Sequence, residues 1–185
     1  MNKRVTFIYL VFLLSLGGIV HAENHHDKSE SDTLLIYESS YTSIAQTDCQ
    51  TLESDNLGSI QECEGFADMK VTVIEGDVRQ SIALTRDDKK YELNFWNRVS
   101  SGFSSLGLTL EWRYKRNQSD NPSALIVSLE VNEDEEDLDK VTSYLVVSKI
   151  TEQEICVVGK IDPQTNQNDI AQKMAESATE MSCLE

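Results

Sequence analysis

Histidine sets the first limit on the chemistry open to this chain. The sequence holds only three, His21, His25 and His26. The long body after residue 26 therefore has no imidazole. A Ser-His-Asp or Cys-His nucleophilic apparatus cannot be assembled within it, nor can a histidine-ligated catalytic zinc site. Four cysteines remain: Cys49, Cys63, Cys156 and Cys183. None forms a CxxC pair, so redox catalysis and thiolate zinc sites are unsupported. An even count in an exported chain suggests two disulfides. Of three pairings, Cys49–Cys63 with Cys156–Cys183 is preferred, because each bond joins near neighbours at one end of the chain. Each would contribute roughly 3 kcal/mol in the chain-entropy view.

Carboxylates are the abundant alternative, with 32 Asp and Glu in 185 residues. A glycosidase needs only two positioned acids, but nothing in the sequence selects a pair. The densest run is Asn132 to Asp139 (NEDEEDLD). A calcium loop of the EF-hand type needs glycine sixth and a bidentate glutamate twelfth. Counted from Asn132 those places hold Asp137 and Ser143, so the run reads as a solvated hairpin loop. A second cluster is Glu75-Gly76-Asp77-Val78-Arg79-Gln80. It puts two acids, a guanidinium and an amide around one turn, and Glu75, Asp77, Arg79 and Gln80 are the candidate binding surface. The plainer reading is a hairpin whose side chains cap its own backbone. Cleavage after Ala22 would expose Glu23-Asn24-His25, a sequence able to wrap Cu2+ or Ni2+, against the simpler reading of a flexible tail. Asn117-Gln118-Ser119 matches a glycosylation sequon, relevant only in a eukaryote. No catalytic residue, metal site or cofactor motif is expected.

The elements that would position these residues are mostly strands. Leu34 to Tyr37 form a short apolar run, which Tyr41 to Ile44 continue. Residues 45–68 read as a long loop closed by a disulfide. Val71 and Val73 share one strand face, and Ile82 and Leu84 share the next, with a tight turn at Glu75-Gly76-Asp77. Tyr91, Leu93 and Phe95 alternate with Glu92 and Asn94, leaving Trp96 on the opposite face. The cleanest period-2 stretch is Leu106, Leu108, Leu110, Trp112 and Tyr114, with Trp112 expected in the core. Leu125 to Val131 repeats the pattern. Ser143–Ile150 and Glu154–Ile161 look like a hairpin. The ending differs: Asn168 can cap a helix, and Ile170, Met174, Ala178 and Met181 recur at helical spacing to about Ser182. The expected class is α+β, mostly antiparallel sheet or sandwich with one C-terminal helix tied back by a disulfide.

The first 22 residues read as a cleavable secretory signal peptide. Lys3 and Arg4 give a positive start, Val5 to Val20 an apolar run, and Val20-His21-Ala22 a peptidase site. Residues 23–32 read as a flexible acidic tail, and 33–185 as a single β-rich domain. Losing Lys3 and Arg4 takes the formal net charge from −16 to −18. Such a chain is repelled by phosphate backbones and anionic surfaces, so neither nucleic acid nor membrane is an expected partner after cleavage. A cationic protein or an envelope component is favoured electrostatically.

From Tyr41 to Ser81, with its cysteine pair, acidic glycine-containing loop and EGD-x-RQ element, the chain resembles a family of small disulfide-containing periplasmic proteins of Proteobacteria. Leu110-Glu111-Trp112-Arg113 is similar to that family's VEWR-like strand. Ile155 to Asp162, Asn166 to Ala175 and the last cysteine also fit. Two positions depart: Val157 stands where the family often has histidine, and Gln167 where it has proline. The resemblance implies a bacterial envelope location and both disulfides, and carries no activity with it. The expected function is a periplasmic or secreted, non-enzymatic binding or envelope accessory domain. The alternatives are an inhibitor of a cationic enzyme such as lysozyme, and a carboxylate-only hydrolase.

Overall fold

The structure is a computed structural model that describes residues 36–134, 136–137 and 139–185. The expected leader and tail lie outside the described residues. Ten strands form one sheet. They are β1 (Tyr37–Ser43), β2 (Cys49–Ser54), β3 (Gly58–Cys63), β4 (Lys70–Gly76), β5 (Arg79–Arg86), β6 (Lys89–Glu92), β7 (Phe103–Lys115), β8 (Ala124–Asn132), β9 (Val141–Ile150) and β10 (Ile155–Ile161). Two α-helical segments complete it: the single turn α1 (Phe95–Arg98) and the C-terminal α2 (Gln167–Ser177). The strand order is β10-β9-β8-β7-β5-β4-β3-β2, with β1 added to β7 and β6 to β5. Every pairing is antiparallel except β5 with β7. The α+β class with a terminal helix is as expected.

The two halves of this sheet close on each other. Inward residues of β4 and β5 (Val71, Val73, Ile82, Leu84) share one core with Leu110, Trp112, Leu125, Val127 and Val146 from β7, β8 and β9. Trp112 is fully buried, and its indole N–H donates to Thr42 Oγ1 at 2.8 Å, which satisfies the one polar atom of a large apolar side chain. The opposite face of β8–β10 carries Ala124, Ile126, Val147, Val158 and Ile161. Ala171, Ala175 and Ala178 seat the terminal helix on them. Small side chains at this spacing let the helix lie close to the sheet. Gly159 does the same from the strand side, where a Cβ would stand 2.5 Å from Met174 Sδ.

Both disulfides form as preferred. Cys49 and Cys63 are direct partners across β2 and β3, and Cys156–Cys183 ties the chain end to β10. Cys183 follows the 3-10 turn Ala178–Glu180 that ends the helix.

Several local expectations are corrected. Residues 45–68 are not a loop: they hold the β2–β3 hairpin, preceded by a 3-10 turn at Gln46–Asp48. After Cys49 every residue of β2 is exposed, so the strand lacks the alternation that would mark it. The strand through Tyr91 stops at Glu92, because Asn94 adopts φ 50° and starts α1, burying Leu93 and Phe95 from a turn. Trp96 is half-buried on that turn. Asn166, not Asn168, stands at the N-cap position of α2, in the left-handed region and without a side-chain cap bond. Its buried stripe is the alanines, with Ile170, Met174 and Met181 packed at its margins. Leu108 leaves the apolar face altogether and is 64% exposed. The cause is a bulge: Leu106 faces Leu129 and Leu110 faces Val127, so Gly107, Leu108 and Thr109 stand opposite Ser128 alone.

One buried polar network holds the helix to the sheet. Arg113 donates to Glu176 at 2.6 Å and to Ser39 Oγ at 2.8 Å. Ser39 in turn donates to Glu111 at 2.5 Å, and Gln172 of the helix donates to the same carboxylate oxygen at 2.8 Å. Arg113 and Glu176 are both almost completely buried, so each neutralises a charge that water cannot reach.

Candidate functional site

Residues directly opposite across antiparallel strands share a face. Following that face across β2 to β5 shows the inside of the sheet changing character. The innermost layer is Cys49, Cys63, Val71 and Leu84. The next is Thr51, Gln61, Val73 and Ile82. The outermost is Ser59, Glu75 and Gln80. Apolar becomes mixed and then polar toward one end. There the two halves of the sheet stand apart, and a groove of about 530 Å3 opens between them. Thr51, Gln61, Ser59, Glu75 and Gln80 form one wall, and Leu106, Leu108, Ile44 and Gln46 the other. The β7 bulge is what turns Leu108 out to the rim.

Two tight turns frame the mouth. β4 and β5 are joined by Asp77 and Val78 alone, at φ 51° and 59°, the geometry of a type I′ hairpin. For the β-branched Val78 that region costs about 1–3 kcal/mol. Its carbonyl accepts from Ser104 N at 3.0 Å, and Asp77 N donates to Leu57 O at 2.9 Å, so the turn is bonded to both neighbours. The β2–β3 turn is shaped by Asp55, whose Oδ1 accepts from Leu57 N and Gly58 N at 2.8 and 3.0 Å. Gly58 is pressed against the other hairpin, since a Cβ there would lie 2.0 Å from Glu75 O. No larger residue fits without moving backbone.

The four residues singled out at the EGD-x-RQ turn divide. Glu75, Asp77 and Gln80 line the groove. Arg79 does not. Its Nε donates to Ser101 O at 2.8 Å, its Nη1 meets Asp77 Oδ2 at 2.6 Å, and its guanidinium lies over the Phe103 ring. Arg79 thus fixes the turn. Gln80 has a joint role: its Oε1 accepts from Leu106 N at 2.8 Å, while Nε2 donates to Glu75 Oε2 at 3.3 Å. One amide sutures β5 to β7 and orients the groove's central carboxylate. Arg79 caps the turn's own backbone at Asp77 O, while Glu75, Asp77 and Gln80 face the groove.

No family model matches the chain, and neither a curated protein nor a solved structure matches it. The groove's charged lining is Asp55, Glu75 and Asp77, with no lysine or arginine. Asp55 accepts from its own turn through Oδ1, and Asp77 Oδ2 meets Arg79. Among the described residues, one group of three metal-ligating types comes together, Glu154 with Cys156 and Cys183, and its sulfurs are bonded to each other. Of the acidic run, Asn132 is buried at the end of β8 and donates to Asp137 O, while Glu133, Glu136, Asp137 and Asp139 are exposed. At its root Tyr144 donates to Glu133 at 2.9 Å. Burial first, then the Glu133 hydrogen bond and the charges of Glu133 and Asp162, push its phenol up to about 12.

The sequence reading missed Thr51, Leu57, Ser59, Gln61, Val78 and Leu108. One signal for the hairpin was present: Cys49 and Cys63 are equidistant from Asn56, as a bonded pair across a hairpin must be from its turn.

Proposed function

We propose that this protein is an exported binding domain, periplasmic or secreted, whose ligand site is the groove at the open end of the sheet. The observation that carries the reading is the inward row turning from Val71 and Val73 to Glu75, with a cavity where the core would otherwise continue. Polar groups facing inward without filling the space are costly unless something pairs with them. Export is supported by the two disulfides, which belong to an oxidising compartment, and by the leader-like start. The similarity to small periplasmic envelope proteins adds to it.

The test is a titration of the oxidised protein, cleaved after Ala22, followed by backbone amide resonances. An alkylguanidinium salt, a neutral disaccharide and inorganic phosphate serve as probes. Displacement of the Gln61, Glu75 and Gln80 signals by at least one of them is expected. Three probes that leave all those signals unmoved would remove the reading.

A second reading, inhibition of a cationic enzyme such as lysozyme, draws on the charge of −16 and the acidic groove. It requires protection of cells in a lysozyme lysis assay. No effect at equimolar or higher dose disposes of it.

A further inference from the structure

We infer that the groove receives a basic side chain, arginine or lysine, presented by a partner protein; this rests on the binding reading above. Glu75 sits at the centre of the polar wall, half-buried, and only its Oε2 is engaged, by Gln80. Its second oxygen has no partner among the described residues. Around it stand the hydroxyls of Thr51, Ser54 and Ser59 and the amide of Gln61. The nearest cation along the chain, Arg79, is turned away and committed to Ser101 O and Asp77. The wall thus offers a half-buried carboxylate with no counter-ion among the described residues, which disfavours anionic ligands and favours a donor cation.

The rim narrows the choice. Leu57, Val78 and Leu108 are 77%, 63% and 64% exposed, three large apolar side chains around one polar mouth. Arginine and lysine carry an aliphatic stem ending in a charge, and such side chains lay the stem on apolar surface. A small inorganic cation has no use for that rim. Sugars and quaternary ammonium groups are held by aromatic faces, and no aromatic residue lines the groove. The volume exceeds one side chain, leaving room for the flanking residues of a segment lying across the three hydrophobic groups. The mouth is preorganised, with Gly58 locked against Glu75 and Val78 held in a strained turn, so little ordering cost falls on binding.

The experiment uses the oxidised protein and two capped pentapeptides, Ala-Leu-Arg-Leu-Ala and the same sequence with citrulline, which keeps the shape and loses the charge. The arginine peptide should displace the Gln61, Glu75 and Gln80 amide signals. Its Kd should weaken about tenfold or more with citrulline, and likewise in the near-isosteric Glu75→Gln variant. A control variant, Asp87→Asn with Asp88→Asn, removes two exposed charges from the β5–β6 turn at the other end of β5 and should bind as the parent does. Equal loss in that control would mean that net charge rather than the groove attracts the peptide, and the inference fails. Equal binding of both peptides in the groove overturns the cation assignment but leaves the groove as a binding site. Silence at the groove toward both peptides, with the three small probes silent too, overturns both.

Discussion

Gln80 shows how much one amide can decide. It is the acceptor for Leu106 N at the single parallel joint of the sheet and the donor that orients Glu75. Gln80→Ala leaves that half-buried N–H without a partner, an expected loss of about 1–3 kcal/mol in denaturant unfolding. Arg113 is the second decisive residue. Glu176→Ala strands its guanidinium between helix and sheet, and a loss of about 3–5 kcal/mol is expected. The double replacement Arg113→Met, Glu176→Leu should recover only part of it, because Glu111, 3.9 Å from Arg113, then keeps its charge with Ser39 and Gln172 as neutral donors. Tyr144 supplies the pH dependence. Its folded value, about 12, lies above the usual 10. The folded state therefore holds this proton more tightly than the unfolded chain does. Its contribution is complete below pH 10 and is lost as pH rises through 12. Ultraviolet titration should show one late phenolate step that Tyr144→Phe removes, together with a shallower alkaline loss of stability.

Among the elements, the β2–β3 hairpin has little packing to support it. Beyond Cys49 its outer strand is exposed throughout and ends the strand order, so the disulfide and the turn carry what packing does not. Cys49→Ala with Cys63→Ala should cost about 3 kcal/mol in the chain-entropy view. Amide exchange should accelerate over residues 49–63 while β8 and β9 stay protected, and groove binding should weaken because one wall is lost. The C-terminal helix contrasts with this. It is held by its alanine seam and the Arg113–Glu176 pair as well as by Cys156–Cys183. Breaking the second disulfide should free residues 181–185 first and leave the helix docked, visible as fast exchange at Leu184 N, which bonds Val157 O.

At the scale of the molecule, charge and compartment are linked. A formal charge of −16 favours cationic partners at long range, and that attraction is screened by salt, whereas a contact inside the groove is screened less. Binding of the arginine pentapeptide should weaken with ionic strength yet persist at physiological salt. Mass spectrometry of native material should find a chain beginning at Glu23 with all four thiols oxidised in pairs.

Composition and period-2 alternation were enough to specify β4, β5 and β7 to β10, the core position of Trp112, the class of the fold and the terminal helix, because a buried face imposes its own spacing. The disulfide partners were legible from proximity along the chain. The edge strand β2 was not, since an exposed strand carries no alternation, and neither was the bulge that expels Leu108, since nothing local distinguishes Leu108 from Leu106 or Leu110. Glu111 and Arg113 alternate with the apolar residues of β7, and only the tertiary structure lays Glu176 and Gln172 of the helix against them. The groove belongs wholly to the tertiary level. Glu75, Gln61 and Thr51 are separated by up to 24 residues and become one wall only through the register of three pairings, and whether a polar inward row meets water or packing depends on how far apart the two halves of the sheet stand.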